Sequence, residues 1–172
     1  QGDTLWIGAL NGLYTYQLQN RKLSPLDTKR NGLPHNTIYS IIRTGDNQIY
    51  VGTYNGLCRY IASNEKFEKI PLPVNSSQSN LFVNSLLEDT GRQCIWIGTE
   101  GYLFQYFPST GQMKQTEAFH NNSIKSLALD GNGDLLAGTD NGLYVYHNDV
   151  TPLQHIIHDS RNIQSLTNNI IW

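Results

Sequence analysis

This sequence has little charge, little cysteine and no long apolar run. Charged residues make up 15% of its 172 residues and the formal net charge is −2, so nothing indicates a basic surface for nucleic acid or for an anionic membrane. No apolar stretch is long enough to span a bilayer, and no signal-peptide pattern begins at Gln1. Because a leader is removed on secretion, its absence leaves export open.

The scarcity of cysteine excludes a disulfide framework. Cys58 and Cys94 are the two cysteines of the chain, and neither belongs to a metal-ligand pattern. Cys58 takes a strand position that holds an aromatic residue in three similar segments, which predicts a buried free thiol that packs as a small apolar side chain. We expect the same of Cys94, and we expect no cofactor and no metal.

The chain contains instead a short sequence motif that is repeated four times. Each copy has an apolar strand with a glycine, a polar turn and a second strand that ends in tyrosine. The strand glycines recur at spacings of 40–46 residues, and they are Gly8, Gly52, Gly98 and Gly138. The Asn-Gly pair at Asn55-Gly56, between two apolar runs, predicts a β-hairpin with a type I′ turn.

Two further strands accompany the hairpin. Apolar residues at one fixed offset after the glycine indicate an outer strand, and they are Leu23, Phe67, Met113 and Leu153. Three copies also have an upstream inner strand with a fixed serine, at Ser40, Ser85 and Ser126. Four short antiparallel strands in a unit of about 40–45 residues are typical of a β-propeller blade. The predicted fold class is therefore all-β, a β-propeller of four-stranded blades with about four blades present.

The blade boundaries follow from the repeat. We expect blades over about 1–35, 36–80, 81–121 and 122–166, with the first strand of the first blade missing and 167–172 starting the next blade. This indicates a fragment of a longer propeller. Two alternatives stay open: the tail pairs with Leu5–Ala9 and closes a four-bladed ring, or two open arcs pair through their edges as a homodimer.

The repeated sequence motifs resemble those of a known family. Residues 32–41, followed by 49–53 and 55–57, resemble the two-component regulator propeller repeat, and 95–99 and 138–143 contain its most typical words. The resemblance implies a periplasmic sensor propeller of a hybrid two-component system, whose parent is an inner-membrane protein with a histidine kinase. Many such sensors respond to oligosaccharides. The segment itself would have no kinase chemistry and no membrane contact.

Loops between blades are the expected ligand site, because specificity is usually placed in loops on a fixed scaffold. Amides, imidazoles and guanidinium groups suit sugar hydroxyls, and an aromatic ring suits a sugar face. The candidate residues for binding an oligosaccharide are Arg30, His35, Asn80, Phe82, His120, Asn121 and Arg161. The alternative is that these are ordinary polar loop residues.

Other patterns predict no catalytic site. The fixed serines lack the partners of a catalytic triad, and residues 130–134 look like the start of a calcium loop without its distant glutamate, which favours a hairpin turn. His155 and His158 would not face together on a strand. No acid is expected within an inner strand. The alternatives to a sensor are a polysaccharide lyase or hydrolase, which would need paired carboxylates, and a pure assembly module.

Overall fold

The computed structural model describes residues 3–73, 81–116, 122–147 and 154–172. Within these ranges every regular element is a β-strand. These ranges contain no helix that is long and apolar enough to cross a membrane. The chain divides into two compact units, Gln1–Val83 and Asn84–Trp172, and each is described by itself.

The first unit contains two antiparallel sheets. A three-stranded sheet has the order β1-β2-β3, formed by β1 (Thr4–Ala9), β2 (Gly12–Gln17) and β3 (Lys22–Leu26). A four-stranded sheet has the order β4-β5-β6-β7, formed by β4 (Ile38–Arg43), β5 (Ile49–Thr53), β6 (Gly56–Ile61) and β7 (Lys66–Ile70). Each strand pairs with the next in sequence, as in a propeller blade.

The second unit repeats this arrangement in two four-stranded sheets. One is formed by β8 (Val83–Asp89), β9 (Cys94–Thr99), β10 (Leu103–Phe107) and β11 (Gln112–Gln115), where the first residue of β8 still belongs to the first unit. The other is formed by β12 (Ile124–Leu129), β13 (Leu135–Thr139), β14 (Gly142–Tyr146) and β15 (Gln154–Ile156). The predicted fold class, all-β with antiparallel propeller blades, is confirmed.

The strand glycines let consecutive segments approach closely. A Cβ on Gly8 would lie 2.6 Å from Ile38 Cγ2, and one on Gly98 would lie 2.6 Å from Ile124 Cγ2. Both neighbours are the first residues of an inner strand. Each glycine is therefore needed for space, because a methyl group would displace the strand that packs on it.

Each unit has its own apolar cluster. In the first unit Leu13, Val51 and Cys58 are fully buried, and Trp6 packs edge-on against Tyr60 with ring centroids 4.9 Å apart. In the second unit the cluster includes the buried side chains of Cys94, Trp96, Leu103, Ile124 and Leu135. Both cysteines are free and buried, as the sequence predicts.

The prediction of a type I′ turn is wrong. Gly56 has a φ of 94° but Asn55 has no positive φ, whereas a type I′ turn needs positive φ at both central residues. Thr53 Oγ1 accepts the N–H of Asn55 at 3.0 Å and donates to Gly56 O at 2.9 Å. The threonine therefore holds the turn, and a left-handed glycine at the start of β6 restores the strand direction, as in a G1 bulge.

Candidate functional site

The structure brings two of the predicted loop residues together through a residue that the sequence analysis did not select. The ring of His35 lies 4.9 Å from that of Tyr54, and Tyr54 lies 4.2 Å from Phe82. A fourth ring, Tyr39, lies 6.3 Å from Phe82. We call these four residues of the first unit the ring ladder.

Backbone contacts hold the His35 end of the ladder. Tyr54 occupies the turn between β5 and β6, and its N–H donates to Thr37 O at 3.1 Å. The Thr37 hydroxyl donates to Leu10 O at 2.9 Å, which ties the segment before β4 to the β1–β2 turn. The Thr37 N–H donates to His35 Nδ1 at 3.0 Å. The neutral imidazole of His35 therefore carries its proton on Nε2, where it is a hydrogen-bond donor.

The geometry decides which ring can receive a ligand. The interplanar angle between Tyr54 and Phe82 is 37° at 4.2 Å, so these two rings cover much of each other. Tyr39 is 42% exposed and lies on inner strand β4 at the end of the ladder. Tyr39 therefore offers the most open ring face.

Sequence reasoning missed Tyr39 and Tyr54 because it searched only the loops that join blades. Tyr54 is in a turn within a blade, and Tyr39 is inside a strand. One signal was available: the second residue of the inner strand varies strongly between copies, whereas its neighbours keep their type. A strand residue that changes in chemistry within a repeat is therefore a candidate in the same way as a loop residue.

The other predicted residues are not in the ring ladder. Arg30 is exposed in the turn after β3; its N–H donates to Asp27 Oδ1 at 2.7 Å and its carbonyl accepts a hydrogen bond from Lys66 Nζ. Arg161 is 89% exposed and pairs with Asp159 at 3.2 Å. Asn80, His120 and Asn121 lie outside the described residues. The ligand-binding roles of all seven candidates stay predictions.

The aspartate side chains of these turns accept hydrogen bonds from nearby backbone N–H groups. The N–H of Arg30 is the main cause that lowers the pKa of Asp27, and the N–H of Arg161 does the same for Asp159. In the turn between β12 and β13, the N–H of Asp134 is the main cause of the lowered pKa of Asp130. This turn closes a hairpin, as the sequence predicts.

His155 in β15 and His158, two residues after it, each form a hydrogen bond with a backbone carbonyl group. His155 Nε2 lies 2.6 Å from Asn141 O, and His158 Nδ1 lies 2.5 Å from Leu166 O. A carbonyl oxygen only accepts, so each of these nitrogens carries a proton, and the lone pair of a neutral ring lies on the other nitrogen. Their role is to hold the segment around β15 in place.

One expectation about acids is wrong. Strand β8 extends through Asp89, so an acid does lie within an inner strand, and its side chain is buried. Asp89 accepts hydrogen bonds from Trp96 Nε1 at 3.0 Å and from Arg92 Nη1 at 2.8 Å. Burial raises the pKa of Asp89, but these donors outweigh it and the pKa is lowered. The carboxylate is therefore a structural group with its acceptor sites used.

Comparisons with known proteins agree with the propeller fold. The fold defines a β-propeller, and the family model that matches residues 32–55 is the two-component regulator propeller. No curated protein matches the chain significantly. The resemblance to the two-component regulator propeller repeat is confirmed.

Solved structures give a closer comparison. The chain is 91% identical to the extracellular domain of BT4673 from B. thetaiotaomicron, with a TM-score of 0.96 over 100% of this chain and 23% of that chain. One structure of that domain assigns it to a one-component system and the other to a hybrid two-component system. The extracellular domain of BT3049, assigned to a hybrid two-component system of the same organism, is 19% identical and has a TM-score of 0.76 over 98% of this chain and 22% of that chain.

The chain therefore contains a two-component regulator propeller repeat and is highly similar to one part of such an extracellular domain. It spans less than a quarter of the length of either relative. At 19% identity the likeness to BT3049 shows the fold alone.

Proposed function

We propose that this chain is a ligand-sensing part of a periplasmic propeller in a hybrid two-component sensor, and that its ligand is an oligosaccharide. The 91% identity to an extracellular domain of such a system supports the sensor role and the location. The parent would be a membrane-anchored kinase, and this segment would contribute binding rather than catalysis. Binding would shift the balance between signalling states if the ligand favours one of them.

The ring ladder is the observation that supports an oligosaccharide. Sugars present a polar rim and an apolar face of C–H groups, so they bind to aromatic rings flanked by hydrogen-bond donors. Tyr39 offers an open ring, Phe82 supports it, and His35 offers an Nε2–H donor. Sugar would stack on Tyr39, and its hydroxyls would meet the polar groups beside the ladder.

Calorimetric titration with a panel of neutral and acidic oligosaccharides tests this proposal. Tyr39→Ala should weaken the binding of the sugar that binds the wild type by about tenfold or more, because stacked aromatic contacts dominate such sites. Tyr102→Ala is the matched control, since Tyr102 is a half-buried ring that stacks on Phe104 in the other unit, at 5.8 Å.

Three outcomes would be informative. Loss of affinity in Tyr39→Ala with an unchanged melting temperature supports the ladder as the site. Equal affinity of Tyr39→Ala and wild type would place the sugar elsewhere and overturn the assignment. If no oligosaccharide in the panel binds at millimolar concentration, the ligand class itself is wrong.

A further inference from the structure

The inner strands contain a bulge at one repeat position. Between β4 and β5 the register passes from the pair Ile38–Thr53 to the pair Ser40–Gly52, which leaves Tyr39 without a partner. Bulges re-aim a side chain and occur often beside functional sites.

The same irregularity occurs in the second unit. Between β12 and β13 the register passes from Ile124–Thr139 to Ser126–Gly138, which leaves Lys125 without a partner. Two bulges at one repeat position in separate units indicate a designed feature rather than a local defect.

The residues on either side of the bulge are fixed by packing. Ile124 fills the space beside Gly98, and the hydroxyl of Ser126 lies only 2.4 Å from where a Cβ on Gly138 would be. The bulged residue does not pack against a strand glycine in either of these ways. Its identity is therefore free to follow a function, and it changes from Tyr39 to Lys125 between the two bulges.

Lys125 is placed to meet an anion. Its ammonium lies 5.5 Å from the ring centre of Trp172. In the described part of the chain no carboxylate pairs with this ammonium. An ammonium beside an aromatic ring is suited to a ligand that has both a carboxylate and an apolar ring face.

An amide lies on the preceding inner strand of the same unit. Asn84, the second residue of β8, donates from Nδ2 to Ser123 Oγ at 2.9 Å, and Ser123 precedes β12 by one residue. The amide oxygen of Asn84 has no hydrogen-bond donor among the described residues. Asn84 therefore adds an acceptor for a hydroxyl group next to the segment that leads to Lys125.

We propose that the bulged position of the inner strand selects the ligand, and that Lys125 and Trp172 bind an acidic sugar unit, a uronic acid, in the second unit. This inference rests on the proposed function, because it assumes a sugar ligand and names its charge. The uronate ring stacks on Trp172, and its carboxylate accepts a hydrogen bond from Lys125 Nζ.

The test uses two matched sets of probes on the purified protein. β-1,4-linked tetramers of glucuronic acid, galacturonic acid and mannuronic acid are compared by calorimetry with the corresponding neutral tetramers, which differ in having CH₂OH in place of the carboxylate. An acidic tetramer should bind the wild type more tightly than its neutral counterpart, and its affinity should fall as salt is raised.

A charge-neutral variant identifies the residue. Lys125→Gln should lose about tenfold or more in affinity for the acidic tetramer, because a charge-assisted hydrogen bond is removed. Lys114→Gln is the matched control: Lys114 Nζ lies 5.2 Å from the Phe107 ring in the same unit, at an outer strand. It should bind as the wild type does.

The outcomes separate this inference from the function on which it rests. Selective binding of an acidic tetramer, lost in Lys125→Gln and kept in Lys114→Gln, supports the inference. Binding of an acidic tetramer that Lys125→Gln does not weaken, or binding of neutral tetramers alone, overturns the inference and leaves the oligosaccharide sensor standing. Absence of binding by every tetramer, acidic or neutral, overturns both.

Discussion

Gly52 and Gly131 have ordinary backbone geometry, yet their surroundings differ completely. A Cβ on Gly52 would lie 2.6 Å from both Val83 Cγ1 and Val83 O, whereas a Cβ on Gly131 would meet nothing within 4 Å. At the scale of single residues, this contrast separates the glycine that the packing requires from one that only occupies a turn.

Gly52→Ala should therefore destabilise the protein by about 1–3 kcal/mol, because the backbone of Val83 has to move to make room. Gly131→Ala should change the free energy of unfolding by less than about 0.5 kcal/mol. Denaturant titration of both variants measures the difference. A Gly52→Ala variant as stable as the wild type would show that the segment at Val83 yields freely.

The thiol of Cys58 supplies a second prediction at this scale. Burial raises the pKa of Cys58 to about 12, and only the thiolate is a good nucleophile. Neither Cys58 nor the buried Cys94 should react with Ellman's reagent in the native protein at pH 8, and both should react in denaturant. Rapid labelling of the native protein would mean that the clusters around these residues open readily.

At the scale of elements, Arg92 joins the two sheets of the second unit. Its side chain donates to Asp89 Oδ2 and Gly133 O at 2.8 Å and to His147 O at 3.0 Å. Asp89 ends β8, Gly133 lies in the β12–β13 turn, and His147 follows β14. One guanidinium thus satisfies three acceptors that belong to three different elements.

Arg92→Ala should cost about 3 kcal/mol, because it leaves the buried carboxylate of Asp89 without its cation. Arg59→Ala is the control: Arg59 pairs with Glu68 at 2.7 Å, but the two side chains are 33% and 59% exposed, so the loss should stay below about 1 kcal/mol. Urea unfolding of the two variants compares them directly. Similar losses would show that the Arg92 contacts are dispensable.

Several lowered carboxyl pKa values predict how the whole molecule responds to acid. The pKa values of four aspartates lie below the ordinary value of 3.8, namely those of Asp27, Asp89, Asp130 and Asp159. A carboxyl group whose pKa is lower in the folded state stabilises the fold above its unfolded pKa. That contribution is lost as the pH falls through the folded pKa.

The denaturant midpoint should therefore be nearly constant from pH 7 to pH 5 with respect to these groups, and should fall below about pH 4. Asp89→Asn should be less stable at pH 7 and should show a smaller further loss in acid. Unfolding curves measured at pH 7, 5, 4 and 3 test both statements. A midpoint that rises in acid would contradict the assignment.

The repeat alone predicts the strands and their order, because its period, turn residues and strand glycines are local features of the chain. It also predicts that Cys58 and Cys94 are buried. The turn type was not predicted correctly from the sequence. The Thr53 hydroxyl determines it through two hydrogen bonds, which the Asn-Gly pair alone does not indicate. The position of Asp89 within β8 was not predicted for a similar reason. Its hydrogen-bond partners Trp96 and Arg92 stabilise a buried carboxylate in the strand.

The candidate site depended much more on tertiary structure. His35 and Phe82 were predicted from their loops, but Tyr39 and Tyr54 join them only because β4 and the β5–β6 turn lie beside those loops. Local patterns in the chain were enough to define propeller blades and the two-component regulator repeat. Which rings meet, and which strand residues stay unpaired, was settled by tertiary packing, because both depend on contacts between segments that are distant in the chain.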